Sequence, residues 1–479
     1  MPSRRVLVLG VGPMPHEATD RLMAPGLRLA MWVKCLQRAG HQVVVGRALF
    51  EQVTLGAPAP SDATPTAHPA APCEVRPLAP GDVNTLRQWV TTEPFDAVIA
   101  NTDAMAQLAA RACLPVPLCV DYNGDPINEM QLQGWRAQND AAILDAAHRM
   151  VPALLAGDAF TTCSAPHRHA LLGQLGLVGR LNRFTAGHEL VYHARSSWPL
   201  EFPAPPPNAP PHQPLRGRLV PHDAFIVLWS GGYNNWADID TLFKALHLLF
   251  DVEPHAHFVS TGGAIPGHGE TLFEEFREWV EDSPHQQRFH FLGWVPTHHV
   301  PALYREADVA LSLDVPSHEG ELGSRHRALD WAAHGCVTIT TVQSELVREL
   351  VAAGAGVEVP MTDPPAVAEQ LVRLALDPAR RASIAQRGED FARRWVEHAV
   401  DPCFLEWVAS PRRAPDLPPL AERPSRSIIH PDNPLANYAA EAFPGRAVER
   451  HRADRGSRLY RHMEQLRDGL ARLRGRKRP

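Results

Sequence analysis

Short, β-branched apolar runs recur along the chain, each ending in glycine or a polar residue and each followed by a stretch whose apolar positions return every three or four residues. RVLVLGVG, HQVVVG, FDAVIANT, VPLCVDYNG and AFTTCS make a first series; AFIVLWSGG, AHFVSTGG, RFHFLGWV, ADVALSLD and CVTITT make a second. Continuous apolar strands alternating with amphipathic helices predict parallel sheets covered on both faces. Between the first two runs, Leu29, Val33 and Leu36 share a helical face, and Gly40 stands where a C-terminal glycine cap belongs. Each series therefore reads as a Rossmann-like domain, and the expected fold class is α/β with two such domains facing across a cleft.

Proline marks the joints. FPAPPPNAPPHQP (202–214) falls between the two series and reads as a stiff interdomain linker, while GAPAPSDATPTAHPAAP (56–72) reads as a surface insertion. The expected organisation is a first domain over 1–205, a linker over 206–216 and a second domain over 217–395. A closing helix at 396–410 follows, then a proline-rich segment and a basic amphipathic helix over 411–479. Within that helix Leu459, Met463, Leu466, Leu470 and Leu473 follow a heptad spacing, with 12 basic and 4 acidic residues between Arg446 and Arg478. The formal charge of the whole chain is −6, so this segment opposes the body in sign. A short coiled coil, a membrane-surface helix and a helix docked on its own body all fit.

At 479 residues the chain is long for one core, which agrees with two domains. The 7 cysteines form no C-x-x-C pair and mostly sit in apolar runs, as buried thiols in a reducing compartment do. MPSRRVLVLGVGPM is too short in its apolar part for a secretory signal, and no stretch holds 18 apolar residues. A cytoplasmic protein is expected, peripheral at the inner face of the membrane if the basic helix binds there. Nothing points to nucleic acid.

The candidate chemistry concentrates in HEGELGSRHRALDWAAHG (318–335), immediately before the buried run CVTITT. If Ser324 opens a helix reaching His334, Arg327 and Asp330 share a face and Arg325 lies near the helix N-terminus. A diphosphate there gains from the helix dipole and two guanidinium groups, and Asp330 accepts from ribose hydroxyls. Glu319, in the loop before the helix, meets a hydroxylated ring; Glu321 is the competing carboxylate. The loops ending VLGVG (Gly10, Gly12) and LWSGG (Gly231, Gly232) offer backbone N–H groups at sheet edges, although any tight turn also selects glycine. Asp121, Asp125 and Glu129 follow a first-domain strand and point to the interdomain cleft, with turn and capping roles equally open for both aspartates. His167 and His169 read as surface residues. Asp238 and Asp240 in DID read as helix caps, GHQ (40–42) as a turn, and PGHGE and THH hold too few ligands for a metal.

These pieces together resemble the GT-B glycosyltransferases related to family 4 (glycosyl transferases group 1), in particular a branch found among bacterial envelope-polysaccharide enzymes. Glu319, Arg325, Arg327, Asp330 and Gly335 match that branch's pattern of E, R-x-R six residues on, x-x-D and a later glycine. LWSGGYNNWADIDTLFKAL, with Asn235, is similar to its G-G-x-x-N-W-x-D segment, and FLGWVP, with Gly293, Trp294 and Val295, to the loop covering the nucleotide base. CSAPHRHALLGQLGLVGRLN and VDYNGDPINE are also similar to segments of the branch. Two features depart from the common family form: the glutamates are not eight positions apart, and GGYNNWAD stands where many members place a diphosphate-gripping arginine and lysine.

The resemblance implies transfer of a sugar from a nucleotide diphosphate to a hydroxyl acceptor, with retention of configuration and with Glu319, Arg325 and Arg327 catalytic. Gly231, Gly232, Asn235, Gly293, Trp294, Val295, Ser324 and Asp330 would hold the donor, and Gly10, Gly12, Asp121, Asp125 and Glu129 would face the acceptor. The nucleotide-sugar is a co-substrate, and neither cofactor nor metal is implied. Glycan, lipid-linked and protein acceptors all fit. The competing readings are a nucleotide-sugar epimerase, a phosphorylase, which the chain's 3 lysines disfavour in its pyridoxal form, and a catalytically silent scaffold acting through the basic helix.

Overall fold

The computed structural model describes residues 2–17, 22–49, 72–196, 211–265, 270–397, 400–418 and 433–443. Most of the proline-rich insertion, the first part of the linker and the basic C-terminal helix lie outside the described residues.

The first domain alternates β1 (Arg5–Gly12), α1 (Ala24–Arg38), β2 (Gln42–Leu49), β3 (Glu74–Pro77), α2 (Val83–Thr92), β4 (Ala97–Asn101) and α3 (Asp103–Ala112). It continues through β5 (Leu118–Tyr122), α4 (Pro126–Ala137), α5 (Ala141–Ala156), β6 (Ala159–Thr162), α6 (Ala165–Leu177) and β7 (Val191–His193). The second runs β8 (Phe225–Trp229), α7 (Ile239–Val252), β9 (Ala256–Thr261), α8 (Glu270–Glu281), β10 (Phe289–Gly293), α9 (Val300–Glu306) and β11 (Val309–Ser312). Then come α10 (His318–Leu322), α11 (His326–Ala333), β12 (Val337–Thr341), α12 (Glu345–Ala352), β13 (Gly356–Val359), α13 (Pro364–Leu376) and α14 (Pro378–Glu397). Two further helices are α15 (Pro402–Ala409) and α16 (Pro434–Ala442).

The strand orders are β3-β2-β1-β4-β5-β6-β7 and β10-β9-β8-β11-β12-β13, and every ladder in both sheets is parallel. Each chain segment starts mid-sheet, works outward, then jumps back to build the other half. That leaves a crevice at the carboxyl edge between β1 and β4, and between β8 and β11, where neighbouring loops diverge. The strands are buried on both faces, as their apolar runs require: β4, β5, β8 and β12 are buried along their whole length.

Two expectations change here. Gly10 lies inside β1, not in a loop, and a Cβ there would press on Leu29 of α1 at 2.8 Å, so this glycine serves helix-on-sheet packing. The closing helix expected at 396–410 is two helices: α14 ends at Glu397, and Asp401 caps a new one through Cys403 N, with Pro402 at its first position. The second of them, α15, returns to the first domain. Its Phe404 packs edge-on against Trp32 of α1 at 5.2 Å between ring centroids, and Trp407 stacks on Phe404. Beyond it, Asp416 forms a fully buried ion pair with Arg180 at 2.7 Å.

Candidate active site

Three loops meet at the carboxyl edge of the second sheet, after β8, β9 and β10. Gly231, Gly262 and Gly293 have φ of 90°, 82° and 67°, in the left-handed region that a side chain resists. Gly231 N donates to Thr261 O (3.1 Å) and Gly262 N to Gly293 O (2.7 Å), so the loops brace one another. A Cβ on Gly262 would lie 2.4 Å from Gly231 O. Gly262 and Gly263 escaped the sequence reading, although a glycine pair ending a buried strand was the available signal.

Arg327, from the first turn of α11, reaches over this platform. Its Nη1 donates to Ser230 O and, at 3.4 Å, to Gly232 O, and its guanidinium lies 5.6 Å from the Trp229 ring centroid. Burial lowers its pKa from the usual arginine value. Its polar contacts go to carbonyl oxygens, and no ion pair neutralises it among the described residues.

Arg325 has a different fate from the one its sequence position implied. Its Nε pairs with Asp314, and its Nη1 and Nη2 reach both oxygens of Glu319 at 3.2 and 2.7 Å. Burial works against its charge, but the two carboxylates raise its pKa above the ordinary value. The guanidinium is thereby committed to fixing Glu319. Ser324 does not open the helix: α11 starts at His326, and a separate short helix, α10, carries Glu319. Gly323 divides them, where a Cβ would lie 2.5 Å from Glu319 Oε1. Glu319 is buried and Glu321 exposed, so Glu319 is the inward carboxylate.

Asp330 lies one turn beyond Arg327 and is 5% exposed. Burial pushes its carboxyl up to about 8, with Arg327 pulling weakly the other way. His326 Nε2 stands 3.7 Å from its Oδ1. Ser324 Oγ and Asn235 Nδ2 are buried without a hydrogen-bond partner among the described residues. Trp294 and Val295 follow Gly293 out of β10 and are half-buried at the rim.

The first domain supplies the facing wall. Asp121 is fully buried and accepts from Arg28 Nε and Nη2, Trp32 Nε1, Asn101 Nδ2 and Thr161 Oγ1. Burial opposes its charge, yet Arg28 and these donors hold its pKa below the usual carboxylate value. Asp125 caps α4 through Ile127 N and Asn128 N and also accepts from Gln174. Both aspartates are thus occupied inside the domain. Glu129, one turn into α4, is half-buried, and its carboxyl is pushed up to about 8 by burial and then by the charge on Glu319 across the cleft. Gly12 ends β1, where a Cβ would strike the Arg47 side chain at 2.5 Å.

His167 contradicts its expected surface role: it is fully buried, with Nδ1 3.8 Å from Cys163 Sγ and Nε2 4.0 Å from Asp125 Oδ2, and burial lowers its pKa to about 4. His169 is exposed as expected, and Asp238 caps α7 through Thr241 N. The walls meet where α10 packs against α4 and α6, with Ser164 Oγ donating to Leu322 O at 2.6 Å. Among the described residues no group of three or more His, Cys, Asp or Glu is placed to hold a metal ion, and no helix is long and apolar enough to cross a membrane.

The arrangement defines a GT-B fold: two doubly wound domains with a polar cleft between their carboxyl edges. Residues 224–377, which hold every donor-side candidate, match the family model described as Glycosyl transferases group 1. Among solved structures, the chain is similar to sucrose-phosphate synthase from Thermosynechococcus elongatus at 17% identity and a TM-score of 0.62, covering 83% of this chain and 96% of that one. It is similar to Anabaena HepE in complex with UDP and glucose at 16% identity and a TM-score of 0.54, covering 85% and 98%. An E. coli trehalose-6-phosphate protein bound with UDP-2-fluoro glucose aligns at 12% identity and a TM-score of 0.57, covering 85% and 100%. No curated protein matches the sequence.

Proposed function

We propose that this protein transfers a sugar from a nucleotide diphosphate donor to a hydroxyl acceptor, with retention of configuration, in the synthesis of a cell-surface polysaccharide or glycoconjugate. The observation that carries the reading is Arg327: a half-buried guanidinium without an ion pair among the described residues, held over a glycine platform at the topological switch point. That is a place for a diphosphate. The family match over 224–377 and the UDP ligands of HepE and the E. coli protein support it and make UDP the first base to test.

In this mechanism Arg327 and the backbone at Gly232 hold the leaving diphosphate, with Gly231 shaping the turn. Asp330 and the loop at Gly293, Trp294 and Val295 take the ribose and base. Glu319, fixed by Arg325, lies where a carboxylate orients sugar hydroxyls and favours positive charge on the ring in the transition state. Arg325 is then a positioning residue. Glu129 faces the acceptor, while Asp121 and Asp125 support that wall from inside.

The test is a thermal shift of the purified chain against UDP, GDP, ADP, dTDP and CDP and their sugars. A ligand at about a hundred times its Kd adds roughly 2.7 kcal/mol of stability. One diphosphate is expected to stabilise the wild type and not Arg327→Ala. No shift with any nucleotide overturns the transferase reading and leaves a silent scaffold.

A further inference from the structure

Arg136 plays no part in the sequence motifs, yet it is the first domain's direct hold on the donor loop. It stands at the last turn of α4, and its Nε donates to Asn235 O at 2.5 Å and its Nη2 to Ala237 O at 3.1 Å. From the other side, Arg327 holds Ser230 O and Gly232 O. The strip 230–237 is therefore gripped at both ends, by one arginine from each domain. Its far end is fixed further by Asp238 N, which donates to Leu313 O at 2.9 Å.

Asn235 is the residue this grip places. It is 4% exposed, its backbone carbonyl is taken by Arg136, and its side-chain Nδ2 is buried without a partner among the described residues. A buried amide N–H left unpaired calls for an acceptor oxygen. We propose that Arg136 is a positioning residue for the donor: reaching across the cleft, it pins the backbone at Asn235 and Ala237 and so presents the Asn235 amide to a donor oxygen. The inference rests on the transferase reading and adds to it a first-domain residue that shapes the second-domain site. Donor grip then depends on the domains standing in this mutual position, because Arg136 leaves the strip when they separate.

The experiment is calorimetric titration of the full chain with the diphosphate selected in the thermal-shift screen, UDP being the first probe, for wild type, Arg136→Ala, Arg136→Lys, Asn235→Ala and the double variant Arg136→Ala/Asn235→Ala. Each alanine variant is expected to bind about tenfold more weakly, and the double variant no more weakly than the worse single one, since both changes remove one interaction. Arg136→Lys, with a single donor head, recovers part of the loss. Arg136 is a half-buried surface residue, so the ligand-free Tm stays near that of the wild type. A wild type that binds and an Arg136→Ala that binds as well overturns the clamp alone, and so do fully additive losses. A wild type that binds no nucleotide overturns the transferase reading and the clamp with it.

Discussion

Asp121 and Asp330 are both buried aspartates beside an arginine, one near the carboxyl edge of each sheet. Asp121 accepts five hydrogen bonds from the first domain's own donors and is held ionised. Asp330 is held near neutral, with a pKa of about 8, and the nearby Arg327 spends its hydrogen bonds on carbonyls instead. The topology is shared, so the difference is in the furnishing. The first edge has closed its charges into a structural hub; the second keeps buried polar atoms on Asn235, Ser324 and Asp330 without hydrogen-bond partners among the described residues. The same contrast separates Arg325 from Arg327, two residues apart in sequence.

The largest effect that would break this comparison falls on the first edge. Asp121→Ala strands Arg28 without its partner and is expected to cost about 3–5 kcal/mol in urea unfolding; the folded fraction should keep wild-type nucleotide affinity. An affinity loss with unchanged stability would make Asp121 a ligand residue instead. Arg325→Ala leaves Asp314 and Glu319 together without their cation, with an expected stability loss of about 3 kcal/mol. Arg327→Ala reverses the pattern: little change in unfolding, and a loss of about 2–3 kcal/mol in diphosphate binding, roughly a hundredfold in Kd by titration.

The smallest effect concerns Asp330. Its folded pKa of about 8 lies above the roughly 3.9 of an unfolded aspartate, so the folded state binds the extra proton between those values. Stability is therefore lost as pH rises from about 4 toward 8. Asp330→Asn removes that loss, and the ligand-free Tm of the variant should exceed that of the wild type by more at pH 8 than at pH 5. A constant difference across pH would show that burial does not hold the Asp330 carboxyl protonated.

The strands, the two domains and the concentration of chemistry at 318–335 were legible because each is local: apolar runs name buried parallel strands, and charge beside such a run needs a reason. The pairing inside the cluster was not. Arg325 meets Asp314, eleven residues back, only because Gly323 breaks the segment into two helices and turns it onto itself. His167 looked solvated, since nothing next to it in sequence reveals that Asp125, on another element, stands 4.0 Å from its Nε2. Gly262 was missed for the same reason: the constraint on it is the carbonyl of Gly231, on a neighbouring strand's loop. Arg136 carries no signature in its own surroundings at all.

The return of the chain through α15 has a mechanical consequence. The polypeptide passes between the domains twice, between Ser196 and His212 and again between Glu397 and Val400, and Trp395 Nε1 ties the two passages together by donating to Ser196 O at 3.0 Å. Two bodies joined by adjacent tethers turn most freely about the line through that junction, like a door on one post. Rotation about it swings Arg136 and Ser164 toward or away from the opposite wall and leaves the post in place.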